Sequence, residues 1–206
     1  MDELENTWYL EKTNDDNISQ GDIFLNCPIV VTTLQNADFS NPRWYESEDL
    51  EADHDTHVQN VIVMTQACDL ERTPVENVLV ALIHDINSID FPGPKSKGQK
   101  TSRKSYIKEI YGGKKPNLHL IGNHDGSIKL QYQIVDFTAI YTIPYKVLED
   151  IKSKVGPRLR LNTPHREYLS QRFGSFYSRI GLPDSDHITQ DEIFAVLQND
   201  EKDYSE

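Results

Sequence analysis

Residues 61–83 read VIVMTQACDLERTPVENVLVALI. Two apolar runs, Val61 to Met64 and Val78 to Ile83, flank a polar stretch with Thr73-Pro74 in it. Such runs, rich in β-branched residues and closed by turn chemistry, predict buried strands, and the short polar join predicts that they pair antiparallel. The first run ends on Thr65, Gln66, Cys68 and Asp69. That polar corner at a strand exit is the first place to look for chemistry.

Upstream, Gly21-Asp22 marks a turn before Ile23-Phe24-Leu25, and PIVVTT (28–33) predicts a strand. Residues 1–18 read as a polar, loosely held lead with Trp8 and Tyr9 as docking candidates. Residues 36–57 show no periodicity and read as a long acidic loop. Downstream, residues 92–102 carry Pro92, Gly93, Pro94 and Gly98 and predict a loop, followed by a short helix over 102–111. Residues 118–121 predict a short strand, His124-Asp125-Gly126 a hairpin turn, and 128–143 further strands. From Pro144 the period changes: Tyr145, Leu148, Ile151 and Val155 predict a helix stopped by Gly156-Pro157. A second helix starts at Thr163-Pro164, with Leu169, Phe173, Phe176, Tyr177 and Ile180 as its apolar stripe. A third helix is expected over 186–197. Strands followed by helices define an α+β fold. One domain over 1–206 is expected: a β-barrel over 18–143 with insertions at 36–57 and 92–116, a helical extension over 144–198, and a frayed tail over 199–206.

The chain has 206 residues, 37% of them hydrophobic, and a net charge of −12. No apolar run approaches the ~20 residues that span a bilayer, and the acidic first residues do not form a secretory signal, so a cytoplasmic location is expected. Cys27 and Cys68 are too few for a disulfide framework and show no zinc spacing; both are expected reduced. The charge is uneven. Between Lys95 and Lys115 eight cations face only Glu109, so this segment carries +7 and the remainder −19. Between Ala37 and His57 seven acids face Arg43 alone. A negative total opposes indiscriminate nucleic-acid binding, but the basic segment interleaves cations with Tyr106 and Tyr111, which suits phosphates and bases. Lys100, Arg103, Lys104 and Lys108 are its candidate nucleic-acid contacts. On the later helix His165, Arg172 and Arg179 share one stripe at seven-residue spacing, flanked by Arg166, and extend the set with Arg166 and Arg172. A solvated loop, an arm folded on the chain's own acids, or a plain amphipathic helix would explain the same residues. The run Glu51 to His57 mixes acids with His54 and His57 but lacks metal-ligand spacing, so no metal or cofactor is expected.

At the corner, Cys68 could act as a nucleophile if a base lowers its pKa. It could equally fill space, with Asp69 closing the turn. The order GDIF (21–24), VIVMT (61–65), VLVALI (78–83) and IPYKVLEDI (143–151) resembles the PemK/MazF/Kid toxins. That resemblance implies a small SH3-like antiparallel β-barrel that cuts RNA. Gly21 and Asp22 match the family's entry turn, and Thr65 its strand-end Ser/Thr. The Arg-Pro that opens the family's strand is absent; Val58-Gln59-Asn60 stand there. In its place the chain offers Thr65, Gln66, Cys68, Asp69 and Arg72 as candidate catalytic residues. Asp69 or His84 would be the base, and Arg72 or an arginine of the later helix the cation, in a metal-independent endoribonuclease. The resemblance implies a bacterial nucleic-acid-handling protein of a toxin–antitoxin or phage-defence system, with RNA or a protein partner, and with oligomers open. Two rival readings stand beside it: a non-catalytic recognition subunit of a multi-protein defence assembly, and an enzyme centred on Cys68.

Overall fold

The computed structural model describes residues 7–47, 49–72, 75–88 and 103–178. The expected loop over 92–102, with Lys95, Lys97 and Lys100, lies outside the described residues. So do Arg179, Ile180, the helix over 186–197 and the tail. Residues through Phe176 form one compact unit, and those from Tyr177 onward a unit apart.

The main unit is α+β. The strands are β1 (Tyr9–Lys12), β2 (Asp22–Gln35), β3 (Glu51–Val63), β4 (Asn77–Asp85), β5 (Leu118–Ile121), β6 (His124–Asp125), β7 (Lys129–Leu130), β8 (Gln133–Pro144) and β9 (Arg158–Leu161). The helices are α1 (Ala67–Arg72), α2 (Arg103–Tyr111), α3 (Tyr145–Val155) and α4 (His165–Tyr177). Seven strands form one curled antiparallel half-barrel in the order β1-β9-β2-β3-β4-β8-β5, and β6 pairs with β7 in a separate hairpin. Among the described residues no helix is long and apolar enough to cross a membrane.

The opening stretch behaves as its composition requires. Val61 pairs with Leu82, Ile62 with Ala81 and Val63 with Val80. Successive side chains of a strand point to opposite faces. Val61, Val63, Val78, Val80 and Leu82 therefore join one buried cluster, with Leu148 of α3. Ile62, Met64, Ala81 and Ile83 join the other, with Phe137 of β8 and Leu169 of α4. Both faces are covered, so these strands carry no polar alternation.

The structure corrects four sequence expectations. Residues 9–12, expected in a loose lead, form the edge strand β1, too short to show a period. Residues 158–161, expected within the helical extension, form β9 between β1 and β2. Its sequence RLRL buries Leu159 and Leu161 in the core and turns its arginines elsewhere. Residues 51–57, expected in the acidic loop, are the first half of β3 and pair with residues 29–35 of β2. The sheet thus reaches from Tyr9 to Leu161 rather than over 18–143. Finally, Ala67–Arg72 is a short helix rather than a turn. The helices over 103–111 and 145–155 stand close to their expected bounds.

Asp22 explains why β9 sits where it does. Its carboxylate is fully buried. Arg158 Nε donates to Oδ2 at 2.6 Å and Arg160 Nη2 donates to the same oxygen at 3.0 Å. Arg160 Nε donates to Oδ1. Arg158 spends its remaining donors on the carbonyls of Thr13 (3.0 Å), Asp16 (2.9 Å) and Asn17 (2.7 Å). The preceding Gly21 has φ +82°, and a Cβ there would sit 3.1 Å from Leu161 Cβ. Only glycine lets the turn lie this close to β9 without strain. Its N–H donates to Val63 O, and its carbonyl accepts from Leu161 N.

The two sheet edges meet through side chains. Tyr9 Oη donates to Gly122 O at 2.7 Å, just past β5. Glu11 of β1 pairs with His124 Nε2 at 2.9 Å and accepts from Ser127 N at 2.8 Å. The Ser127 hydroxyl, then His124, hold the Glu11 carboxyl down at about 2. Removing one partner of a buried ion pair strands the other charges, at ~3–5 kcal/mol. Asp22→Ala, which leaves two guanidiniums unopposed, is expected to lower unfolding free energy by that amount in urea titration.

Candidate functional site

The strand-exit corner is displayed rather than sealed, but it is dispersed. The Thr65 hydroxyl accepts the Leu79 N–H at 2.7 Å, which ties the end of β3 to β4. Gln66, Cys68, Asp69 and Arg72 are exposed on and before α1. Cys68 Sγ lies 3.7 Å from Gln66 Oε1 and 3.6 Å from Asp69 Oδ1. His84 does not join them. It pairs with Ile134, five residues along β4 from Leu79, roughly 17 Å at about 3.4 Å per residue. The expected His84 base is therefore out of reach of Thr65.

A concave site lies elsewhere, where α2, β5 and α4 converge. Trp8, Ile110, Tyr111, His119, Tyr168 and Arg172 line a cleft of about 270 Å³, together with His165. That is just below the usual range of ligand sites, about 300–1,000 Å³. Trp8 stacks on His165 with ring centres 3.7 Å apart and planes at 14°. Arg172 Nη2 donates to Leu118 O at 3.2 Å, and its Nη1 would lie 2.8 Å from a Cβ at Gly113. The guanidinium is thereby wedged between the end of α2 and the start of β5. His119 stacks at 6.3 Å on Phe137. Burial, with the Arg172 charge and His165 adding, pushes the His119 imidazole down to about 4. His119 is therefore neutral at pH 7. Burial also holds His165 below its ordinary value. Tyr111 (81% exposed) and Tyr168 (56% exposed) stand at the cleft without burying their rings.

Five of the sequence-predicted basic residues belong to the cleft helices and face different tasks. Arg172 lines the cleft. Arg166 is engaged, donating to Glu167 Oε1 at 2.7 Å. Arg103 donates to Ile86 O at 2.7 Å, anchoring the start of α2. Lys104 and Lys108 are exposed on α2. Trp8, His119 and Tyr168 were not readable as site residues. Trp8 stands in a polar lead, and His119 stands alone between two leucines; only the fold brings them to His165. Among the described residues no group of three or more His, Cys, Asp or Glu gathers to hold a metal. No protein-family model matches this chain, and no curated protein matches it either.

Two measurements follow. Both cysteines are free. Cys27 is fully buried, with its thiol pushed up to about 11 by burial, so a thiol reagent is expected to label Cys68 in the native protein and Cys27 only after unfolding. His119 binds its proton less readily folded, with its pKa near 4 against 6.5 unfolded. Its contribution is intact above pH 6.5 and is lost as pH falls toward 4, on the order of 3 kcal/mol. Urea midpoints measured across that window are expected to fall with pH, and to fall less steeply in His119→Gln.

Proposed function

We propose that this chain handles single-stranded RNA in the α2–α4 cleft and cuts it without a metal. The observation that carries the reading is the convergence of His119, His165 and Arg172 with aromatic rings in one concave site. Base stacking on aromatic faces is worth about 1–3 kcal/mol per base and tolerates any sequence; Tyr111 and Tyr168 offer such faces. Arg172 supplies a fixed cation for a phosphate.

The chemistry needs only groups of this kind. One neutral imidazole, His165 as the less buried, takes the proton of a ribose 2′-hydroxyl. The freed oxygen attacks phosphorus, and the bond from phosphorus to the 5′-oxygen breaks. That leaving oxygen takes a proton from the second imidazole, His119, which enters the step as the imidazolium, its minor form at pH 7. The products are a 2′,3′-cyclic phosphate and a 5′-hydroxyl, and Arg172 opposes the charge built up at phosphorus. His165 enters neutral and leaves protonated while His119 enters protonated and leaves neutral, so the proton count closes within the two rings. Because both imidazoles are depressed, the rate is expected to peak below pH 6.5.

In this reading the half-barrel corresponds to the SH3-like barrel of the PemK/MazF/Kid toxins, and the setting is a bacterial toxin–antitoxin or phage-defence system. The contact of Tyr9 with Gly122, which brings the two edges together, supports the barrel; the resemblance of GDIF and VIVMT supports the setting. A second reading, a recognition subunit without chemistry, is favoured by one observation: the long exposed hairpin formed by β2 and β3.

The test is incubation of the purified chain with single-stranded RNA in chelator, with product ends assigned by phosphorus NMR. Cleavage with cyclic-phosphate ends is expected, blocked by a 2′-deoxy substrate and reduced about 100-fold or more in His165→Ala and His119→Ala. RNA binding without cleavage in the wild type would favour the recognition reading. Loss of neither binding nor cleavage in Arg172→Ala would remove the cleft.

A further inference from the structure

Beyond Cys27 and Val58, β2 and β3 leave the sheet as a two-stranded ribbon whose base is held to the core by Ile29 and Val31. Seven register pairs, from Ile29 with His57 to Gln35 with Glu51, have no further strand beside them, a projection of roughly 24 Å. Its base is set by a bulge between Phe24 and Cys27, where Asn26 takes φ +55° and its N–H is held by Asn60 Oδ1 at 3.0 Å. An isolated two-stranded ribbon is marginal in water and gains from an added surface.

The register sorts the ribbon into two faces, since directly opposed residues share a face. One carries Glu51, Asp53 and Asp55, all exposed, with Ile29 and Val31 on the core at its base. The other carries Val30, Leu34 and Val58, which are 58%, 40% and 61% exposed. Among the described residues Glu51, Asp53 and Asp55 form no ion pair, and neither do Lys104 and Lys108 of α2. Alternate strand residues lie about 7 Å apart, and helix residues four apart about 6 Å. Asp53 and Asp55 therefore match Lys104 and Lys108 in spacing as well as in sign.

We infer that the ribbon docks on a second copy of this chain, its acidic row against α2 of the partner, with the reverse contact closing a two-fold dimer. Reciprocal contacts close the assembly and leave no free ribbon. The dimer stands whether or not the cleft takes RNA.

The experiment is sedimentation equilibrium of the full chain, free of nucleic acid, at low and high salt. A dimer that dissociates as salt rises is expected. The double reversal Asp53→Lys with Asp55→Lys is expected to weaken self-association about tenfold or more, and so is Lys104→Glu with Lys108→Glu. Each reversed protein repels its own kind, but their ribbons and helices complement one another, so an equimolar mixture is expected to restore a heterodimer. Circular dichroism and thermal melts like the wild type's establish that both reversed proteins are folded. A wild type that stays monomeric at every concentration, a dimer indifferent to both reversals, or a mixture that fails to associate would each overturn the inference.

Discussion

The carboxylate of Asp22 is the hinge of this fold. It is buried, and two arginines of one short strand converge on it. That strand lies between the chain's first strand and its longest hairpin, so the same four residues hold the N-terminal edge in place. Arg158 then gathers three carbonyls of residues 13–17, which would otherwise be an unsupported loop. A buried charge network of this kind is weak as a source of net stability but strict about arrangement, because any partner left alone is costly. It selects one position for β9, and α4 follows directly from β9. The cleft wall made by His165, Tyr168 and Arg172 is therefore placed by an ion pair that does not touch the cleft.

Much of this was legible in the residues, and the exceptions have physical causes. The runs VIVM and VLVALI announced strands because both of their faces are covered, so burial shows without periodicity. The helix over 145–155 announced itself through Leu148 and Ile151 at helical spacing. RLRL did not, because four residues give two alternations, and two arginines in a row of four look like surface. Tyr9 to Lys12 failed for the same reason. The acidic half of the hairpin, residues 51–57, was hidden because all seven are exposed, which leaves no apolar period to read. Its pairing is backbone hydrogen bonding, which leaves little trace in composition.

The site divides in the same way. The corner at Thr65 to Arg72 could be picked out because its polar residues are neighbours in sequence. The cleft could not, because Trp8, His119 and His165 come from a strand edge, an inner strand position and a helix start. Arg172 was picked for its charge and spacing on the helix, with His165 in the same stripe, and among the described residues it alone of the expected lysines and arginines lines the cleft. Local clustering finds residues that share a turn; a cleft between elements is a property of the packing.

One consequence follows from how the sheet ends. The first strand and the fifth face each other across a junction made of a tyrosine hydroxyl on a carbonyl and a glutamate gripping a hairpin, with no backbone ladder between them. Such a seam can part and reseal by swinging a few side chains, while every strand pairing stays intact. Trp8 lies along it, its ring pressed over Gly122 on one side and His165 on the other. Because Trp8 belongs both to that line and to the cleft wall, the shape of the cleft is tied to the way the sheet closes and not to the helices alone.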